Sequence, residues 1–369
     1  MRNFILITLV ILLLAVPLNA ADIGVSAECA ILIEASSGNV IYEKNADNRH
    51  LIASTTKIMT ALVALENYDI TKIVTVSEKA VGVEGSSIYL TKGEKLSMED
   101  LLYALMLESA NDAAAAIAVE VAGSVENFAD MMNSKAVSIG LKNTHFTNPH
   151  GLDNSEHYST AYDMAMLTRH ALMNDTFKTI VSTYKRVIPL KGDEGSRVLL
   201  NHNKMIKLYD GVIGVKTGFT KKSGRCLVSA AERDGVTLIA VTLNAPDDWN
   251  DHRRMLDTGF SMYERVLLTY AGEMSYVIPV LNGDKEFIKC KNSDDLYAVV
   301  RIGNINITSV VEMKRFYYAP ITQGSELGRV IYYNNGVEVG CAPIIADYNI
   351  ENNEHKFNLW DWIIGIWKK

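Results

Sequence analysis

The chain has 369 residues, enough for two domains, and its 48% hydrophobic and 21% charged residues make a globular composition that excludes wholesale disorder. The 36 Lys and Arg against 43 Asp and Glu leave a net charge of −7, with no basic run long enough to follow a phosphate backbone. That excludes nucleic acid as a partner.

The first residues form a targeting pattern. Arg2 supplies positive charge, Phe4 to Val16 form a 13-residue apolar run broken only by Thr8, and Pro17 with Asn19-Ala20-Ala21 offers a helix break and small residues for cleavage near Ala20. The run is too short to span a bilayer, so residues 1–20 read as a signal peptide and the mature chain as exported.

Glu28 to Glu34 reads as a buried strand and Ser36 to Asn39 as a turn into a second strand, Val40 to Tyr42. Ile58, Met59, Leu62 and Leu65 recur at helical spacing, and the segment from Ser54 is apolar nearly all round after its first turn, as in a helix inside the domain. Leu101 to Met106, Asp112 to Ala122 and Val125 to Ile139 add helices, and Thr160 with Asp163 resembles a capping box opening a helix through Leu172. After Pro189 come strands, Val212 to Thr217, Cys226 to Ala231 and Thr237 to Leu243, then a helix over Arg253 to Tyr270. This order predicts one α/β domain, residues 21–272, whose sheet joins both chain ends.

Residues 273–349 are short β-rich segments separated by turns such as Asn282-Gly283 and Asn335-Gly336, which predicts a small all-β domain. Residues 350–369 read as a polar linker and an amphipathic tail. Trp360, Trp362 and Trp367 fall in the last ten residues, and on a helix Phe357 to Lys369 places its apolar residues on one arc opposite Asn358, Asp361, Lys368 and Lys369. Such a helix is about 20 Å long, short of the roughly 30 Å hydrocarbon core, and is expected to lie on a membrane surface. Cys29, Cys226, Cys290 and Cys341 lack metal spacing and read as small buried hydrophobes, with Cys290 to Cys341 the best disulfide candidate in an exported chain.

Three short motifs carry chemistry: Ser54-Thr55-Thr56-Lys57, Ser109-Ala110-Asn111 and Lys216-Thr217-Gly218. Ser54 stands at a helix start, where unpaired N–H groups favour negative charge, and i to i+3 spacing puts Lys57 on the same face. A lysine at the root of an apolar helix can lose its proton and serve as a base. Ser182 to Lys185 repeats the Ser-x-x-Lys spacing but precedes a polar, strand-like stretch. Ser109 and Asn111 fall between two helices, where a loop can aim a hydroxyl and an amide into a cleft; taken alone the motif also suits a helix N-cap. Lys216 to Gly218 ends a strand, and Gly218 leaves room for a ligand backbone to approach it.

The three motifs in this order, with Ser109 following Lys57 by 52 positions and Lys216 following Asn111 by 105, resemble the signature of penicillin-binding proteins and serine β-lactamases. The stretches Phe146 to Leu172 and Gly214 to Ala231 narrow the resemblance to low-molecular-mass D-alanyl-D-alanine carboxypeptidases, especially those of Gram-positive sporeformers. The resemblance implies a transpeptidase-like catalytic domain, an antiparallel sheet with helices, which acts on peptidoglycan stem peptides ending in D-Ala-D-Ala, is inhibited by β-lactams and uses no cofactor or metal. It implies Ser54 as nucleophile, Lys57 as base, Ser109 as proton relay, and Asn111 holding the substrate amide. It further implies Lys216 and Thr217 at the terminal carboxylate, Gly218 beside them, and the N–H groups of Ser54 and Phe219 as an oxyanion hole. Gram-negative relatives place an arginine where His202 stands, so carboxylate recognition falls to Lys216, Thr217 or a charged His202.

A class A β-lactamase would need a deacylating glutamate in an ExxLN segment, which this chain lacks. A DD-endopeptidase or transpeptidase would use the same site, and a non-catalytic cell-wall binding protein would tolerate an altered triad, whereas Ser54, Lys57, Ser109, Asn111, Lys216 and Thr217 are all present. Residues His145, His150 and His157 read as solvated or capping, not as metal ligands. The expected location is the outer face of the cytoplasmic membrane, held peripherally by the tail.

Overall fold

The computed structural model describes residues 23–190 and 195–353; the signal-peptide run 1–20 and the amphipathic tail Phe357 to Lys369 lie outside the described residues. The elements follow as β1 (Cys29–Glu34), β2 (Val40–Lys44), α1 (Lys57–Asn67), β3 (Ile73–Thr75), β4 (Lys95–Ser97), α2 (Met98–Leu107), α3 (Asn111–Ala122), α4 (Val125–Ser138), α5 (Ala161–Ala171) and α6 (Asp175–Ser182). Next come β5 (Lys185–Pro189), β6 (Ser196–Leu200), α7 (Met205–Leu208), β7 (Val212–Thr220), β8 (Gly224–Arg233), β9 (Val236–Leu243) and α8 (Asp248–Met262).

An antiparallel sheet of order β2-β1-β9-β8-β7 organises this part of the chain, so strands from its beginning lie beside strands from its end, as expected. Strand β1 is buried along its whole length because it sits between β2 and β9 with packing on both faces, which is why CAILIE reads as an unbroken apolar run. One face carries Ile31, Ile33, Val228 and Val241 into a core with Ile58, Met59 and Leu62 of α1 and Leu101 to Leu107 of α2. The other carries Leu32, Leu227 and Leu238 against Met255 and Leu256 of α8. Buried Asp251 of α8 ties the incoming chain to the sheet, accepting from Ser26 N at 2.9 Å, Ser26 Oγ at 2.7 Å and Ala27 N at 3.1 Å. Thr160 caps α5, its Oγ1 accepting from Asp163 N at 3.0 Å.

The helix expected to reach Tyr270 stops at Met262. Residues Tyr263–Thr269 form a strand, β10, that pairs with β13 (Leu296–Arg301), because the cross-strand partners, including the Arg265 guanidinium 3.6 Å from the Tyr297 ring centre, outweigh local helix preference. Between and after them lie β11 (Ser275–Leu281), β12 (Phe287–Asn292), β14 (Ile307–Met313), β15 (Tyr317–Tyr318), β16 (Glu326–Asn334) and β17 (Val337–Ala346). Six of these make a sheet of order β14-β16-β17-β12-β11-β15, closed over Ile278, Val280, Ile288, Val330 and Ile344, so the β-rich reading of this region holds.

The disulfide candidate is corrected. All four cysteines are free. In the β12 to β17 pairing Cys290 faces Ala346, which leaves Cys341 five residues along its strand, about 16 Å away and far beyond disulfide reach.

Candidate active site

The Ser54 motif folds as a 3-10 turn, Ala53–Thr56, that runs directly into α1. Ser54 makes no side-chain cap bond, so it does not serve as a helix N-cap. The turn is braced from two sides. Gly218 of β7 packs against it so tightly that an added Cβ would lie 3.1 Å from Ile52 O, Ser54 N and Thr55 N. The room expected at Gly218 for a ligand is therefore taken by the Ser54 turn itself. Gly151 (φ +85) closes the other side, where a Cβ would fall 1.9 Å from Ala53 O.

Lys57 is wholly buried, and its Nζ has three close partners: Ser54 Oγ at 3.0 Å, Asn111 Oδ1 at 2.7 Å and His150 O at 2.7 Å. Two of these can only accept. A neutral amine has two N–H donors and one lone pair, so the two carbonyl-type oxygens take the donors and the lone pair is left facing the serine hydroxyl. Burial, followed by the nearby cation of Lys216, pushes the Lys57 amine well below the ordinary lysine range, with Asp112 opposing weakly.

Each partner is fixed in turn. Asn111 Nδ2 donates to Glu84 O at 2.5 Å, which orients Oδ1 toward Lys57. Asp112 accepts from Ser87 Oγ at 2.6 Å and Leu90 N at 2.9 Å, anchoring the loop that carries Glu84. The loop bearing His150 O is held by Thr60 Oγ1 donating to Pro149 O at 2.6 Å and by Asn148 Oδ1 accepting from Gly151 N at 2.7 Å.

His157, expected to be solvated or capping, is buried. Its Nδ1 accepts from Thr147 N at 3.1 Å, which leaves Nε2 as the donor to Thr56 Oγ1 at 2.8 Å. Burial lowers this ring to about 4, and burial with the Lys57 charge lowers the His150 ring to about 3, so both are neutral pins for the Ser54 turn and its flanking loop.

Ser109, at φ +59, is buried between α2 and α3; the cap position of α3 is Ala110, and no side chain caps it, so the N-cap alternative fails here too. Lys216 is buried on β7 and donates to Thr217 O at 3.0 Å; burial brings its amine down to about 7 while Glu108 pulls it upward. Ser54, Ser109, Thr217, Gly218 and Phe219 line one cleft of about 390 Å³, together with His202. His202 Nε2 lies 3.2 Å from Glu108 Oε2, a pairing that its sequence position did not disclose. Larger hollows of about 600 and 680 Å³ elsewhere contain none of the motif residues. The Ser182 to Lys185 repeat straddles the end of α6 and the start of β5, with Ser182 Oγ donating to Thr179 O, and has no part in the cleft.

Residues 17–247 match the sequence family described as D-alanyl-D-alanine carboxypeptidase, and residues 263–352 match the family described as penicillin-binding protein 5, C-terminal domain. The D-alanyl-D-alanine carboxypeptidase DacF of Bacillus subtilis (strain 168) is 35% identical over 336 residues, covering 88% of this chain and 86% of its own. The solved structure of a peptidoglycan synthesis regulatory factor (PBP3) from Streptococcus pneumoniae is 26% identical, with a TM-score of 0.75 and coverage of 89% of this chain and 100% of that one. Penicillin binding protein 5 from Haemophilus influenzae is 28% identical, with a TM-score of 0.67, 89% of this chain covered and 98% of that one.

The tight seat of Gly151 can be tested against a glycine of like conformation in open space, Gly140 (φ +79, nothing within 4 Å of an added Cβ). Gly140→Ala is expected to cost about 1 kcal/mol of backbone strain in urea unfolding and to leave acylation by benzylpenicillin intact. Gly151→Ala carries the same strain plus a backbone clash, and is expected to slow acylation by at least roughly tenfold as the Ser54 turn shifts. Equal acylation rates in the two variants would show that the turn does not depend on this contact.

Proposed function

The chain belongs to the D-alanyl-D-alanine carboxypeptidase family of serine-type penicillin-binding peptidases, and from that premise we propose that Ser54 attacks the carbonyl between the two terminal D-alanines of a peptidoglycan stem peptide. The observation that carries this assignment is the contact of Ser54 Oγ, at 3.0 Å, with the Nζ of a buried Lys57 whose two other close partners can only accept. Lys57 takes the hydroxyl proton as the Oγ–C bond forms. Ser109 passes a proton to the departing D-alanine amine, and water then hydrolyses the acyl-enzyme. The N–H groups of Ser54 and Phe219 receive the developing oxyanion, and Lys216 and Thr217 receive the terminal carboxylate. Asn111 acts first by positioning Lys57 through Oδ1; of the two N–H donors on its Nδ2, one goes to Glu84 O and the second is the one left for the substrate amide.

The two lysines set opposite limits on pH. Lys57 must be unprotonated, so acylation rises with pH through its lowered pKa; Lys216 must be charged, so acylation falls as pH passes about 7. Mass spectrometry is expected to place a benzylpenicillin adduct on the Ser54 peptide. Lys57→Arg, which cannot give up its proton, is expected to lose at least roughly 10² in acylation rate. Lys216→Arg is expected to lose less and to abolish the fall above neutral pH, since guanidinium stays charged there. An adduct elsewhere, or an unchanged alkaline fall in Lys216→Arg, would refute these roles.

We further infer that the enzyme is exported and held peripherally at the outer face of the cytoplasmic membrane by Phe357 to Lys369. Support comes from the sequence of this tail, with three tryptophans and two terminal lysines in its last ten residues. Among the described residues no helix is long and apolar enough to cross a membrane. Removing Asn358 to Lys369 is expected to release the protein from anionic liposomes while D-alanine release from a soluble peptide changes little; a truncated protein that still sediments with vesicles would end this reading.

A further inference from the structure

The cleft that holds Ser54 has a second wall that none of the three motifs supplies. Arg225 of β8, Asp248 at the start of α8 and Trp249 beside it line the same space as Ser54, Thr217 and Phe219, together with Lys204. Asp248 is 3% exposed, and both of its carboxylate oxygens accept from Arg225 Nη2 at 2.9 Å. The guanidinium carbon lies 5.6 Å from the centre of the Trp249 ring, and the arginine side chain remains 43% exposed. Among the described residues these bonds engage Nη2 alone, so Nε and Nη1 keep donors for a ligand in a guanidinium already fixed from one edge.

The register of the sheet says which part of a substrate would meet it. Thr217 pairs with Leu227 and Phe219 with Arg225, so alternation puts the side chains of Thr217, Phe219 and Arg225 on one face, with Arg225 at the Phe219 end. On the reading above, the terminal carboxylate lies at Lys216 and Thr217 and the reacting carbonyl at the Phe219 N–H. The substrate chain beyond Phe219 is then its acyl part.

We propose that Arg225 is a specificity-determining residue that binds a carboxylate carried by the acyl part of the substrate, in the space walled by Trp249. This rests on the assignment of Ser54 and adds to it the class of peptide preferred. A half-exposed guanidinium whose buried partner fixes one nitrogen is preorganised for a bidentate anion, so the ordering cost falls on the ligand alone.

The test uses the mature full-length chain and two acyl peptides ending in D-Ala-D-Ala that differ only in the side chain preceding the penultimate D-alanine, a carboxylate in one and its carboxamide in the other. Free D-alanine is measured, and kcat/KM is compared between the peptides. The wild type is expected to favour the carboxylate peptide by about tenfold, as a charge-assisted hydrogen bond allows. Arg225→Gln should bring that ratio close to one and Arg225→Lys should keep part of it, while benzylpenicillin acylation of Ser54 reports that each variant is folded. Equal rates on both peptides in the wild type would overturn the proposal. So would an Arg225→Gln variant that slows both peptides alike with a lowered Tm, since Arg225 would then be only a brace between β8 and α8. If the wild type is acylated by benzylpenicillin but releases D-alanine from neither peptide, the carboxypeptidase reading of this site fails and takes the inference with it.

Discussion

A lysine amine with no access to water dictates much of what surrounds it. Charged, Lys57 would pay heavily for its burial, and Lys216, buried on the neighbouring strand, adds repulsion. Neutral, it still needs acceptors for two N–H groups. The fold provides these from Asn111 at the start of α3 and from the backbone of His150, each held by its own loop. One carries Glu84 and is anchored by Asp112, so that Asn111 turns its oxygen inward; the other carries His150 and is held by Thr60, Asn148 and the neutral ring of His157. The serine hydroxyl completes the set, and its position is fixed by two glycines that admit the Ser54 turn from opposite sides.

The sheet supplies the rest of the geometry. Strand β7 lies at its edge, so Lys216 can enter the core side while Thr217 and Phe219 face outward along the cleft. Because among the described residues β7 pairs only with β8, its other edge is available for the extended peptide that the proposed reaction requires. Among the described residues, the second β-rich region, with its own core around Ile288 and Ile344, takes no part in lining this cleft.

Sequence patterns disclosed the parts of this arrangement that side chains encode locally. The apolar run of β1, the buried face of α1 and the Thr160 cap are local signals, and the three motifs owe their visibility to spacing and order. What stayed hidden is carried by backbone or by distant pairing. The oxygens of His150 and Glu84 have no letter of their own, and Gly218 looked like space for a ligand because its true neighbour, the Ser54 turn, lies far away in sequence. The helix expected through Tyr270 ended early because β10 found a partner in β13, and Cys290 and Cys341 are separated by a register that only strand pairing defines. The second wall of the cleft was hidden for a related reason. Arg225 and Trp249 lie far from the motifs along the chain, and Asp248 reads simply as helix-opening charge until β8 brings Arg225 to it.

The central claim is that burial and the cation of Lys216 bring the Lys57 amine beside Ser54 well below the ordinary lysine range, so that it can act unprotonated. Carbon-13 NMR of protein labelled at lysine Cε measures this directly, with Lys57 and Lys216 assigned by loss of each signal in its arginine variant. The account predicts a Lys57 signal that titrates well below the ordinary lysine range and a Lys216 signal that titrates at about 7. A Lys57 signal that titrates near the ordinary value of about 10.4 would contradict the account, because the serine would then have no base beside it.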